Sequence, residues 1–202
     1  MLSRVASRVS LRSRERKLRL FHELLQPGPQ TTVLDVGVTD AAFGAGSTDN
    51  FFEALYPWPE RITAVGMTGL ETFAAAFPSV TVTRADGRDL PFRDGEFDLG
   101  FSNAVVEHVA GGREGQRTFI HELCRVSSRV FVTTPNRFFP LEVHTLVPFA
   151  HWLPRRARDR VLHARGFDDV LEPLGPRELA SLFPYPVRIV NTGMTLIAVG
   201  PE

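Results

Sequence analysis

Short apolar runs alternating with helix-patterned stretches constrain this chain more than any other feature. Thr32-Val33-Leu34-Asp35-Val36-Gly37 is an apolar run bounded by turn formers and reads as a buried strand. After it come a helix over Asn50–Tyr56, a strand over Arg61–Met67, a helix over Leu70–Phe77 and a strand over Val80–Arg84. The pattern continues with a strand over Phe97–Ser102, a helical Ala104–Val109, a break at Gly111-Gly112, an amphipathic helix over Glu114–Ser127 and a strand over Val130–Thr134. Such alternation predicts a parallel sheet covered by helices on both faces, the doubly wound α/β class. The C-terminal stretch differs, because Pro186–Asn191 and Met194–Val199 flank Thr192-Gly193 and predict an antiparallel hairpin that closes the sheet.

Charge is uneven along the 202 residues although 23 Lys+Arg balance 23 Asp+Glu. Residues 1–25 carry a net +5, residues 26–110 a net −8 and residues 111–202 a net +3. An acidic middle argues against a grip on nucleic-acid phosphates and suits a ligand with positive charge. The apolar runs fall short of the roughly 20 residues that a membrane span needs, and the single cysteine, Cys124, excludes an internal disulfide. No spacing among the six histidines resembles a metal triad, so no metal is expected. A cytoplasmic protein is the expectation, and the sequence leaves its oligomeric state open.

The N-terminal stretch predicts a helix over Ser3–Leu25. Arg4, Arg8, Arg12 and Arg16 form a cationic stripe, while Leu18, Phe21, Leu24 and Leu25 form an apolar face that ends at Pro27 and Gly28. Residues 1–28 are therefore expected to be a helical lid with a solvated basic face, open to peripheral contact with an anionic membrane, and residues 29–202 the main domain. In a doubly wound sheet the ligand sits beyond the carboxyl ends of the strands at the switch point. No G-x-G-x-x-G opens at Gly37, and no phosphate-loop lysine exists, since Lys17 is the only lysine in the chain. What those strand ends offer instead is carboxylates: Asp35, Asp86 and Asp89.

Three ordered motifs resemble those of class I S-adenosylmethionine-dependent methyltransferases, in particular the type 11 methyltransferase-domain family. These are Val33–Val38, Ala85–Phe92 and Glu96–Val109; the loop Thr133–Thr145 resembles that of a bacterial subgroup. The resemblance implies a Rossmann-like seven-stranded sheet with a reversed last strand and S-adenosylmethionine as cofactor. It implies that Asp35, Gly37 and Thr39 meet the methionine end, Thr68 the ribose, Asp86 and Gly87 the adenine, and Ser102 and Asn103 the ammonium. Two departures stand out: Gly37-Val38-Thr39 replaces the family's G-x-G, and Gly66-Met67-Thr68 lacks the acid that clamps the ribose, with Glu71 the nearest substitute.

A hydroxyl or ammonium acceptor loses a proton, and the candidate bases are His108 and His144. Residues 136–166 lie where acceptor caps are built in this fold, and they are rich in Phe138, Phe139, Phe149 and Trp152 beside Arg155, Arg156, Arg158, Arg160 and Arg165. A small or lipid-like acceptor is the reading this supports. Two alternatives are an inactive methyltransferase-like binding or scaffold protein, suggested by the altered motifs, and an RNA methyltransferase, suggested by the arginine clusters.

Overall fold

The computed structural model describes residues 2–40, 49–141 and 147–201, with side chains from residue 11 onward. Helix α1 (Leu2–Leu25) leads into strand β1 (Val33–Val36), α2 (Phe51–Leu55), β2 (Ile62–Gly66), α3 (Leu70–Ala76), β3 (Thr81–Arg84) and β4 (Phe97–Asn103). Then come α4 (Gly112–Val126), β5 (Ser127–Pro135), α5 (Arg155–His163), α6 (Pro176–Ala180), β6 (Arg188–Asn191) and β7 (Thr195–Gly200). The strands form one sheet in the order β3-β2-β1-β4-β5-β7-β6. Strands β1 to β5 pair in parallel, whereas β7 is antiparallel to both β5 and β6. This is the doubly wound, Rossmann-like sheet with a reversed last strand that the sequence predicts. Its order turns at β1 and β4, so the crevice opens above these two strands.

The helix expected over Ala104–Val109 is only a 3-10 turn, Val106–His108, and β5 begins directly at the end of α4 because Ser127 is already extended. Among the described residues no helix is long and apolar enough to cross a membrane.

Successive residues of a strand face opposite sides, and β1 feeds both cores. Leu34 and Val36 pack with Phe119, Ile120 and Leu123 of α4 and Leu179 of α6. Val33 faces the other side with Phe101, Phe131, Phe52 and Phe21. There Phe52 stacks on Phe101 with centroids 4.1 Å apart, and Phe21 meets Phe52 edge-on at 5.1 Å and Phe131 at 5.5 Å. Phe21 is fully buried. The C-terminal half of α1 is therefore packed into the main core. The spacing of Leu18, Phe21 and Leu25 explains this, since a wide apolar stripe on a helix must be covered.

Beyond β5 a satellite cluster forms from Ala150, Leu162 and Leu171 with Val147 and Phe167. Phe138, Phe149 and Trp152 stay mostly exposed, and the Phe149 and Trp152 rings lie 4.9 Å apart.

Candidate functional site at the strand ends

Asp35 lies on the same side of β1 as Val33, and it meets α2 there. Opposite it stands Glu53, and both carboxyls are buried, at 6% and 3% exposure. The two carboxyls act on each other electrostatically, and neither Glu53 side-chain oxygen has a hydrogen-bond partner among the described residues. Burial first, and then the charge of Glu53, push Asp35 well above the ordinary carboxylate range; burial raises Glu53 as well. A pair of buried acids, both with raised pKa values, thus sits beneath the first turn.

That turn departs from expectation. Gly37 has φ +113°, and its N–H and that of Val38 both donate to the Val65 carbonyl, at 2.8 and 3.1 Å. A Cβ added at Gly37 would come within 2.2 Å of Val105 Cγ2. The space left by the missing side chain is therefore filled by Val105 rather than left for a ligand. Asn50 holds Thr39 by its backbone, accepting from Thr39 N–H at 3.2 Å and donating to the Thr39 carbonyl at 2.8 Å.

At the end of β4, Ser102 is buried and its hydroxyl donates to the Val36 carbonyl at 3.0 Å, tying β4 to β1. Asn103 comes next, and its Oδ1 accepts from Lys17 Nζ at 2.7 Å and from the Thr133 hydroxyl at 2.9 Å. Ala104 then adopts φ +57°, a left-handed conformation uncommon outside glycine, held by its N–H to the Thr133 carbonyl at 2.9 Å. Glu107 is fully buried; its Oε2 accepts from the Thr134 hydroxyl at 2.9 Å, while Oε1 has no hydrogen bond. Lys17 is buried beside this cluster. Desolvation and the nearby Arg14 pull its pKa down to about 7 against the attraction of Glu107.

The remaining predicted residues are more scattered. His108 donates from Nδ1 to the Val170 carbonyl at 2.8 Å and stands 3.9 Å from Glu107 Oε1 through Nε2, so its ring pins the segment after α5. His144 lies outside the described residues. Thr68 and Met67 are exposed at the end of β2. Arg84 donates to the Met67 carbonyl at 2.6 Å and to Glu71 at 3.1 Å, which commits Glu71 to an ion pair. Asp86 is held by Arg88, whose Nη2 donates to Oδ2 at 2.6 Å and whose backbone N–H donates to Oδ1 at 2.9 Å. These bonds to Arg88 keep its carboxyl below the usual range. The space beside Gly87 belongs to the Phe119 ring, 2.5 Å from an added Cβ.

Sequence reasoning missed Lys17 and Glu53. The available signal for Lys17 was its being the lone lysine on the rim of an apolar helical face; for Glu53 it was a charge inside the otherwise apolar Phe51–Leu55.

Residues 39–129 match the family model described as a methyltransferase domain. Among solved structures, the chain is similar to an S-adenosylmethionine-dependent methyltransferase from Mesorhizobium loti, with 15% identity, 89% of this chain and 96% of that chain covered, and a TM-score of 0.59. It is similar to the N-methyltransferase NodS from Bradyrhizobium japonicum, solved with S-adenosyl-L-homocysteine, with 16% identity, coverage of 94% and 87%, and a TM-score of 0.58. It is also similar to a protein from Rhodobacter sphaeroides described as a zinc-dependent alcohol dehydrogenase, with 14% identity, coverage of 91% and 88%, and a TM-score of 0.61. Likeness at such identities shows a shared fold. No curated protein matches the chain in sequence. Residues 39–129 are thus similar to the methyltransferase-domain family, and the chain shares the fold of solved S-adenosylmethionine-dependent methyltransferases.

Proposed function

We propose that the crevice above β1 and β4 binds S-adenosylmethionine and directs its methyl group to a small acceptor lying against α1 and the aromatic segment beyond β5. The observation that carries this reading is the meeting of two buried polar groups at those strand ends: the Asp35–Glu53 pair and the Lys17–Asn103–Glu107 cluster. Burying such groups is costly unless a partner uses them. The donor set fits the cofactor at its methionine end, where a carboxyl pair faces an ammonium, and at its adenine end, where Asp86 keeps acceptor capacity beyond its bonds to Arg88. At the ribose it offers only the Thr68 hydroxyl, so modest affinity follows.

When bound, S-adenosylmethionine supplies an electrophilic methyl group for in-line transfer. The chain's part is to bind and orient. Asp35 turns its carboxyl toward the methionine ammonium, with Glu53 beside it as a second buried acid. Asn103, fixed by Lys17 and Thr133, sets the wall on which the acceptor rests. His108, committed to Val170, is a positioning residue in this reading. The scaffold and RNA-methyltransferase alternatives are not favoured, because no separate feature asks for either.

Calorimetric titration with S-adenosylhomocysteine tests the proposal. The wild-type chain is expected to bind, and Asp86→Ala to bind about tenfold more weakly, as loss of a charge-assisted hydrogen bond predicts. No heat at millimolar ligand would overturn the reading.

A further inference from the structure

A second feature of α1 goes beyond cofactor binding. Arg12 and Arg16 lie one turn apart on the helix, and Ser13 and Lys17 form the adjacent row. Together with Thr192 and Met194 of the β6–β7 turn they line a cavity of about 250 Å³. The wall formed by the turn is rigid: the Thr192 N–H and hydroxyl both donate to the Thr195 carbonyl at 2.9 Å. Asn136 also donates to it, from its side chain to the Gly193 carbonyl at 2.8 Å and from its backbone to the Met194 carbonyl at 2.8 Å.

Three cations line this cavity and no acidic side chain does. Arg14, on another row of the helix, is ion-paired with Asp49 at 3.2 Å, but Arg12 and Arg16 have no ion pair among the described residues. Lys17 is 8% exposed and has three donors, one of which is used by Asn103. A buried ammonium and two exposed guanidinium groups lining one cavity form an arrangement that a compact oxyanion satisfies by charge-assisted hydrogen bonds. The volume accepts a group of several heavy atoms and is far too small for a lipid bilayer or a nucleic-acid helix.

We infer that this cavity is an oxyanion subsite for the methyl acceptor, seating a carboxylate or phosphate carried by the small molecule. Lys17 lines the cavity and also bonds to Asn103 at the end of β4, so an anion held there places the rest of its molecule at the crevice. This role rests on the methyltransferase reading above, and the anion binding itself does not.

The test follows amide signals of the full chain by NMR during titration with inorganic phosphate, for the wild type, the double variant Arg12→Ala/Arg16→Ala, and Arg155→Ala/Arg156→Ala on α5 as a charge-matched control. Thermal unfolding midpoints check that each variant folds. The expected result is saturable shifts confined to residues 12–20 and 192–194, at least about tenfold weaker in the α1 variant and unchanged in the control. Shifts spread over both arginine clusters, or equal loss in both variants, overturn the subsite. So does binding detected only on anionic vesicles and not with free phosphate. A parallel titration with S-adenosylhomocysteine separates the two claims: if the wild type binds phosphate at this cavity but not S-adenosylhomocysteine, the methyltransferase reading fails and the anion site remains.

Discussion

Helices α1 and α5 are both rich in arginine, yet their charges are used differently. On α5, Arg155 reaches Glu172 at 2.9 Å and Asp159 at 3.7 Å, and Arg158 bonds to Asp159 at 3.1 Å, so these guanidinium groups are neutralised by nearby carboxylates. The helix packs on the satellite cluster through Leu162. On α1, one face drives Phe21 into the centre of the main core, and that packing draws Lys17 beneath the surface beside Asn103. Composition does not distinguish the two helices. What distinguishes them is whether an apolar stripe runs next to the cations, since burial of the stripe decides how much water the charges keep.

The sharpest way to break this comparison is to remove the anchor. Phe21→Ala is expected to lower the unfolding free energy by about 3–5 kcal/mol in chemical denaturation, as for other large-to-small changes in a close-packed core. A loss below about 1 kcal/mol would mean that α1 is an appendage after all.

Next comes Lys17→Met. Its folded pKa of about 7 lies below the ordinary lysine value of 10.5, so between these values the folded chain binds fewer protons than the unfolded one. Stability therefore rises with pH across that window and is lowest below pH 7. The methionine variant should be more stable than the wild type at pH 6 by about 1–3 kcal/mol, with the advantage shrinking toward pH 10. An unchanged pH slope would show that the amine is as well solvated as the arginines of α5.

Glu53→Gln probes the layer that α1 covers. Both carboxyls of the Asp35–Glu53 pair are raised, so their contribution is intact at low pH and fades as pH climbs through the raised folded values. The variant is expected to gain about 1–2 kcal/mol at pH 8 and little at pH 4, as follows from relieving a buried charge repulsion. Equal effects at both pH values would show that neither acid is raised by burial. The smallest effect belongs to α5: Arg155→Ala, an exposed ion pair, should change stability by no more than about 0.5 kcal/mol and should weaken further with salt.

Much of the fold was legible in the sequence because periodicity encodes it. The runs at Val33–Val36 and Ile62–Gly66 could only be buried strands, and the turn at Thr192-Gly193 marked the reversed hairpin. The site was legible only where a motif named it. Asn103 and Asp35 stand at the strand ends as expected, but their partners Lys17 and Glu53 come from helices whose approach no local pattern states. Gly37 illustrates the same limit from the other side: the glycine was visible in sequence, while the Val105 side chain that fills its place comes from the segment just after β4. Asp86 and Glu71 could be read as acids, but not as acids already taken by Arg88 and Arg84.

Because one helix carries both Phe21 and Lys17, occupancy of its pocket and cohesion of the whole domain are thermodynamically linked. Any molecule that settles between α1 and the hairpin adds its binding free energy to the resistance of the domain to melting. A library of small organic acids and phosphate esters, ranked simply by how far each raises the melting temperature, would then sort candidate substrates before any assay of turnover exists.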